Sequence, residues 1–499
     1  MRYIFKGNQM KLIDQYTINE TKIPSLVLME RASYATASEI MNRVNKKQKI
    51  VVICGNGNNG ADGLCVTRIL CEYGYDASYI YDFDKVRATD ELRIQLQICE
   101  NEMIEKATLL ELNTYDVIVD AIFGIGCTRM VEGIYKDYID RINEAKNQGA
   151  YIVSVDVPSG VNSENGQIMG CAVKADLTVT FGYEKYGIFM YPGKNNVGEL
   201  VIRNAGFDKR AIEQFERKIY TYDTCDVDKI PLRDPSSNKG TYGKALIIAG
   251  SKKISGAAYF SAAATYSTGA GIVRILTHSN NKNIIASKLF EAMIEEYDQL
   301  TDEDINKLID ISDVIVIGPG IGVDKDAIRL MKIVIDRMDK PTIIDADGLN
   351  ILASNRKLLD KISQVKRTEK IIITPHLGEM SRLTNMSIAD IKKDTLKVCD
   401  DFAREHNLIC VLKDARTIVS DGYKDIYINS SGNSGMSTGG SGDVLTGIIA
   451  GLILNGLMVD EASKMGVYVH GLSGDSMAKV KSERSLLASD IIEGISNII

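Results

Sequence analysis

The residues best suited to chemistry fall in short glycine-rich or acidic clusters that follow apolar runs. The first is Gly55-Asn56-Gly57-Asn58-Asn59-Gly60-Ala61-Asp62-Gly63, placed between the run Ile50–Cys54 and a helical pattern from Leu64 to Tyr73. A strand, a glycine turn and a helix in that order present backbone N–H groups at a helix start, where an anion is favoured. Gly55, Gly57 and Gly60 match the dinucleotide fingerprint, with Asp82 near the place of its ribose-binding acid. The paired amides Asn58 and Asn59 and the carboxylate of Asp62 suit a cation or a polar ring better than bare pyrophosphate. Taken singly, these glycines also suit a tight turn and the asparagines a helix cap.

Two further acidic segments belong with this cluster. Asp120 precedes Ala121-Ile122-Phe123-Gly124-Ile125-Gly126-Cys127-Thr128-Arg129, and Asp156-Val157-Pro158-Ser159-Gly160 ends the next apolar run. Both aspartates equally suit caps. In the second half, Lys239-Gly240-Thr241-Tyr242-Gly243-Lys244 leads through a strand pattern to Gly250-Ser251 and a small-residue helix from Gly256 to Thr268, where Ala257 and Ala258 permit close packing. Gly318-Pro319-Gly320-Ile321-Gly322, Asp345-Ala346-Asp347-Gly348-Leu349-Asn350, Thr374-Pro375-His376-Leu377-Gly378-Glu379 and Lys413-Asp414-Ala415-Arg416-Thr417 each follow a β-rich run. The sharpest signal is Gly435-Met436-Ser437-Thr438-Gly439-Gly440-Ser441-Gly442-Asp443, which enters the apolar helix Val444 to Asn455. Its glycines let N–H groups close around developing negative charge, and Asp443 is placed to accept a hydroxyl proton. As an ordinary N-cap, Asp443 would leave those glycines unexplained.

The elements that must position these clusters alternate. β-rich runs at 50–54, 77–81, 117–122, 151–155 and 177–181 are separated by helical patterns, which predicts a doubly wound, mostly parallel sheet. A second series at 245–249, 272–276, 314–317, 342–344, 370–374 and 408–412 predicts another. The α/β class therefore occurs twice, with domains expected at 1–218 and 237–499 and a Pro/Ser/Asp-rich linker at 219–236. Ligands of such sheets bind beyond the carboxyl ends of the strands, so each set of clusters should converge on one rim.

A chain of 499 residues accommodates two such domains, and 45% hydrophobic with 25% charged residues is ordinary globular composition. A net charge of -7 without a long basic run argues against a nucleic-acid partner. The nine cysteines form no Cys-x-x-Cys pair, so neither a disulfide framework nor a zinc site is expected and a reducing cytoplasm fits. The N-terminus lacks a secretory pattern, and the uncharged stretch 444–459 is shorter than the ~20 apolar residues of a bilayer span. A homo-oligomer without a membrane partner is expected.

The motifs Gly-Asn-Gly-Asn-Asn-Gly-Ala-Asp-Gly, Asp120 before Phe-Gly-x-Gly, Val155-Asp156-Val157-Pro158-Ser159-Gly160 and Phe181-Gly182-Tyr183-Glu184-Lys185 together resemble NAD(P)H-hydrate epimerases. The resemblance covers residues 1 to 218 and implies a Rossmann-like domain. It also implies a potassium ion held by Asn59, Asp120 and Ser159. The hydrated nucleotide would then be met by Asn58, Asn59, Gly60, Ala61 and Asp62, by Gly124, Ile125, Gly126, Cys127, Thr128, Arg129 and Met130, and by Asp156. Asp156 is the candidate proton-transferring group, with Lys185 as its electrostatic partner. Met29-Glu30-Arg31-Ala32-Ser33 departs from the usual Glu-Asn-Ala-Gly, and Met130 stands where proline is usual.

The second set resembles the ribokinase-like superfamily and, with Thr-Pro-His-x-Gly-Glu and Thr-Gly-Gly-Ser-Gly-Asp-Val-Leu-Thr-Gly, its NAD(P)H-hydrate dehydratase branch. That resemblance covers residues 237 to 499. It implies that Ala258, Gly322, His376 and Asp443 contact the hydrated nucleotide. Lys413, Asp414, Ala415, Arg416, Thr417 and Gly442 would contact ADP or ATP with magnesium, and Asp443 would be catalytic. Asp414 and Arg416 replace common glycines there. A kinase for a vitamin precursor and a catalytically silent first domain are the competing readings. The intact set Asn59, Asp120 and Ser159 argues against the second of these.

Overall fold

Runs such as Ile50–Cys54 and Val314–Ile317 are apolar on both faces, so they are stable only where helices cover both sides of a sheet. In the computed structural model, which describes residues 1–83, 85–364 and 371–499, they are interior strands of two sheets in two units. One unit is Tyr3–Lys218; the other is Ile219–Ile499 with Met1 and Arg2.

In the first unit the strands are β1 (Arg2–Phe5), β2 (Ile50–Cys54), β3 (Ala77–Ile80), β4 (Val117–Ala121), β5 (Tyr151–Val155), β6 (Leu177–Phe181), β7 (Glu184–Lys185) and β8 (Glu199–Arg203). Six of them form a parallel sheet in the order β3-β2-β4-β5-β6-β8. The chain leaves β2 in one direction for β3 and returns to its other side as β4, so a crevice opens beyond the β2 and β4 carboxyl ends. Alternate residues face opposite layers: Val52, Val119 and Val153 pack with Leu64 and Ile69, while Val51, Ile53 and Ile118 pack with Tyr138 and Ile142. A separate short pair sets Phe5 of β1 beside Lys185 of β7. Among expected strands only the ends shift by a residue, but β8 was not anticipated. Its exposed Glu199 and Arg203 mark an edge strand whose apolar run is only residues 200–202, none of it fully buried.

In the second unit the strands are β9 (Ile219–Thr221), β10 (Lys244–Ile248), β11 (Ile272–Thr277), β12 (Met293–Glu296), β13 (Val314–Ile317), β14 (Thr342–Ile344), β15 (Ile371–Ile373), β16 (Ile409–Leu412), β17 (Ile418–Ser420) and β18 (Ile426–Ile428). Their order is β12-β11-β10-β13-β14-β15-β16-β17-β18-β9. Pairing is parallel as far as β16 and antiparallel through β17 and β18. Lys370, expected to open a strand, lies outside the described residues. The segment 219–236, expected to be a linker, contributes β9, which pairs with β18, and a short 3-10 helix at Thr224–Lys229. Isoleucine and tyrosine in β9 are buried, a fate that the surrounding Asp, Pro and Ser residues conceal in the sequence.

Two helices cover one face of the second sheet, Gly256–Ser267 and Ser441–Leu454. They approach closely because glycine faces the partner backbone: a Cβ on Gly447 would lie 2.2 Å from the Ser261 carbonyl oxygen. Backbone cannot yield as a flexible side chain can. Gly447→Ala should therefore cost about 2 kcal/mol of stability, measured as a lower urea midpoint with the slope unchanged. An unaltered midpoint would show that the helices separate freely.

Candidate functional site

In the first unit a cavity of about 640 Å³ opens at the β2/β4 crevice, lined among others by Asn58, Asn59, Asp62, Ile125, Asp156 and Lys185. The glycines of the first motif serve close approach. An added Cβ on Gly55 would lie 2.0 Å from the Ile122 carbonyl oxygen, and one on Gly60 would lie 2.0 Å from that of Gly55. The helix begins at Asn58 with Gly57 as its cap and no side-chain capping bond, so the two asparagines lie in its first turn and do not cap it. Their amides are left for other partners, and the Asn59 Nδ2 is buried with none.

Asp120 occupies β4 and is fully buried. Its carboxylate accepts from Ser154 Oγ and Ser159 N at 2.8 Å and from Ser159 Oγ at 2.5 Å. Ser159 Oγ also accepts from Phe123 N at 2.8 Å and lies 3.3 Å from the Phe123 carbonyl oxygen. Burial raises the Asp120 pKa, opposed by the Ser159 and Ser154 hydrogen bonds. Asn59 lies against Gly124, which follows Phe123: a Cβ on Gly124 would lie 3.1 Å from its Oδ1.

Asp156 sits just past β5 with φ of 65°, a left-handed conformation costly for a residue with a Cβ. What holds it is Lys185, whose Nζ donates to Asp156 Oδ1 at 2.5 Å, to Thr180 Oγ1 at 2.8 Å and to the Phe181 carbonyl at 2.8 Å. The lysine side chain is 2% exposed. Burial lowers its pKa, and Asp156 opposes that shift. Asp62 faces the cavity with its pKa well above the usual carboxylate range, through burial first and then repulsion from Asp156 and Asp14. The site thus holds a paired carboxylate and a second one biased toward its neutral form.

Gly124, Ile125 and Gly126 also line the cavity, whereas Gly60, Ala61 and Cys127 are buried, and Thr128, Arg129 and Met130 are exposed outside the lining. Asp82, the candidate ribose acid, instead accepts from the Tyr138 hydroxyl at 2.8 Å and pairs with Lys106. The lining further includes Met10, Asp14, Glu91 and Phe207, contributed by segments without motifs, which sequence reading missed.

In the second unit the clusters also meet beyond the strand ends. Lys413 follows β16 and pairs with Asp345 beyond β14, Nζ to Oδ1 at 2.8 Å. Gly322 donates its N–H to Asp347 at 2.9 Å. His376 caps the helix Leu377–Thr384, its Nδ1 accepting from Gly378 N at 2.9 Å, while Glu379 accepts the His376 N–H at 2.9 Å. Gly440, at φ of 92°, starts the helix Ser441–Leu454, so Asp443 is its third residue and not its cap. Burial and then the charge of Asp345 push Asp443 up to about 7, against the pull of Lys413. That value suits a base working near neutrality. Asp414 and Ala415 are exposed, Arg416 donates to the Ser430 carbonyl at 2.8 Å, and Thr417 is buried. Ala258 is fully buried, with no surface to offer a ligand, because its helix packs against the helix that carries Asp443.

The second half matches the family model described as NAD(P)H-hydrate dehydratase over residues 245–497, and the first matches that of the YjeF-related protein N-terminus over 25–187. The chain is 34% identical over 505 residues to the bifunctional NAD(P)H-hydrate repair enzyme of Thermofilum pendens, spanning 97% of this chain and 93% of that one. This chain belongs to the bifunctional NAD(P)H-hydrate repair enzyme family. The Escherichia coli enzyme of the same name is 31% identical, with 95% and 89% covered. A ribokinase-like superfamily protein from Enterococcus faecalis superimposes with a TM-score of 0.51 at 27% identity, covering 56% of this chain and 94% of that one. The α/β class, the Rossmann-like first sheet and the ribokinase-like second domain agree with these likenesses.

For this member of the repair-enzyme family, the Asp156–Lys185 pair has a measurable cost of disruption. Asp156→Asn leaves a buried ammonium without its counter-charge, and we expect a loss of about 3 kcal/mol at neutral pH. Because the folded-state pKa of Lys185 lies below its unfolded value, the unfolded chain binds more protons between those two values. The deficit should therefore shrink as pH rises above neutrality towards the ordinary lysine range, followed by urea unfolding. A deficit that grows with pH would contradict a buried, charged Lys185.

Proposed function

We propose that the chain repairs hydrated NADH and NADPH in two steps. Residues 1–218 interconvert the R and S hydrates, and residues 237–499 return the S hydrate to the reduced nucleotide with ADP or ATP. The observation that carries this reading is the presence, at two separate strand rims, of one carboxylate paired to a buried lysine and another poised near neutrality. Full-length likeness to the bifunctional enzymes supports it.

At the first site the hydroxyl-bearing ring carbon must lose and regain its configuration through an opened or dehydrated form, which requires proton transfer at the hydroxyl. Asp156, exposed to the cavity and oriented by Lys185, is assigned that role. The residues present also fit a potassium ion. Asp120, Ser159 and the Phe123 carbonyl lie together, and the Asn59 Oδ1 adjoins the neighbouring Gly124, giving one carboxylate and several neutral oxygens. One carboxylate among neutral oxygens suits a monovalent cation better than a divalent one. A bound monovalent cation would offset the buried Asp120 charge against nucleotide phosphates.

At the second site water is a poor leaving group and phosphate a good one. Asp443 takes the ring hydroxyl proton while that oxygen accepts a phosphoryl group from the nucleotide; the ring nitrogen lone pair then expels phosphate, and the resulting iminium loses a proton from the adjacent ring carbon to restore the double bond. The N–H groups around Gly440–Gly442 and the helix start stabilise the transferring charge. Lys413, Asp414, Ala415, Arg416, Thr417 and Gly442 are assigned to the nucleotide, and Gly322 and His376 to the hydrate. Magnesium, held by the nucleotide phosphates, would neutralise part of their charge.

Incubating the purified chain with mixed hydrate epimers and following the return of reduced-nicotinamide absorbance, with and without ADP or ATP, tests the whole reading. Asp443→Asn should lower dehydration on the order of a thousandfold and spare epimerisation, and Asp156→Asn should do the reverse. Equal loss of both activities in either folded variant would refute the division of labour. Potassium should raise epimerisation above its rate in large organic cations, and Asp120→Ala should weaken hydrate binding. An epimerisation rate indifferent to potassium, with no anomalous peak among Asn59, Asp120 and Ser159 in rubidium-soaked crystals, would remove the cation.

A further inference from the structure

Beneath the start of the helix Ser441–Leu454 lies a charge cluster larger than a single proton transfer requires. Asp345 is 2% exposed at its side chain and bound by Lys413. Gly442 places no side chain between this pair and its neighbour Asp443: a Cβ there would lie 3.1 Å from Lys413 Nζ and 3.6 Å from Asp345 Oδ2. The groups facing Asp443 come from several segments. Asp345 and Asp347 lie beyond β14, Glu379 belongs to the helix Leu377–Thr384, and Lys413 lies beyond β16. His376 acts on the same pair, and His470 contacts Ser441 at 3.2 Å, with burial opposing the charged form of both imidazoles. Among the described residues nothing hydrogen-bonds the Asp443 carboxyl itself. Lys413 is instead engaged by Asp345.

We propose that Asp345 is a positioning residue for dehydration: by binding Lys413 and adding its own charge beside Gly442, it sets the pH at which Asp443 becomes a base. The inference rests on Asp443 being the base of the second site. A lysine free to pair with Asp443 would keep that carboxylate ionised but weakly basic, and would occupy the oxygen that must meet the substrate hydroxyl. With Asp345 holding the ammonium aside, Asp443 keeps both an open oxygen and a proton affinity matched to neutral pH. If Asp345 only neutralised Lys413 for nucleotide binding and did not act on Asp443, its removal would leave the pH dependence unmoved.

The experiment is the kcat–pH profile of dehydration by the full chain at saturating magnesium, nucleotide and S hydrate. The acid limb of the unsubstituted protein should fall near the pKa of Asp443, about 7. Asp345→Asn should move it lower by about one unit, with a reduced plateau, and Lys413→Met should move it higher. Lys413→Arg should restore the original position. A uniform loss at every pH in Asp345→Asn, or a raised nucleotide KM alone, would overturn the proposal. If Asp345→Asn fails to fold by circular dichroism, an unmoved limb in Lys413→Met does so. Dehydration that survives in Asp443→Asn would instead show that the underlying base assignment fails.

Discussion

A carboxylate taken out of water must find a positive partner or give up its charge, and both sites of this chain are arranged around that constraint. Asp156, with its left-handed backbone, is bound by Lys185 from β7 and by Thr180 from β6, and Lys185 is itself placed by the pairing of β7 with β1. Asp345 meets Lys413 across the carboxyl ends of β14 and β16, with the strained Ala346 following at φ of 51°. In each case the ion pair fixes geometry at a strand end, where parallel sheets leave backbone and side chains open to a ligand. Strain of this kind persists only where surroundings over-determine it.

The second carboxylate of each site has the opposite fate. Asp443 lies in the first turn of its helix and Asp62 just beyond the first turn of its own, and burial with neighbouring carboxylates raises both. A helix start ordinarily favours negative charge. Here burial and like charge outweigh it, so each rim presents one group inclined to hold a proton beside another that is paired. That separation of proton affinities is what acid–base chemistry at neutral pH requires.

Glycine explains how such crowding is sterically possible. Gly55 brings the first loop against Ile122, Gly60 packs the helix start against Gly55, Gly442 brings a helix onto an ion pair, and Gly447 lets two helices touch. The same residues that look like a ligand loop in sequence therefore also serve packing. The two readings are compatible, because a loop that packs tightly keeps its N–H groups in fixed directions.

By itself the sequence determined the strand and helix alternation, the two-part organisation and the membership of the glycine-rich, Asp120, Asp156 and Asp443 clusters. These are local: apolar runs, glycine turns and their order are written in consecutive residues. Only the tertiary structure decided that Asn58 and Asn59 are not caps, that Asp443 lies inside its helix, and that residues 219–221 join the second sheet. It also decided that Ala258 is buried, that Asp14 and Glu91 line the first cavity, and that Asp345 holds Lys413. Each of these depends on residues brought together from distant segments, where packing and desolvation, not spacing, fix what a side chain can do.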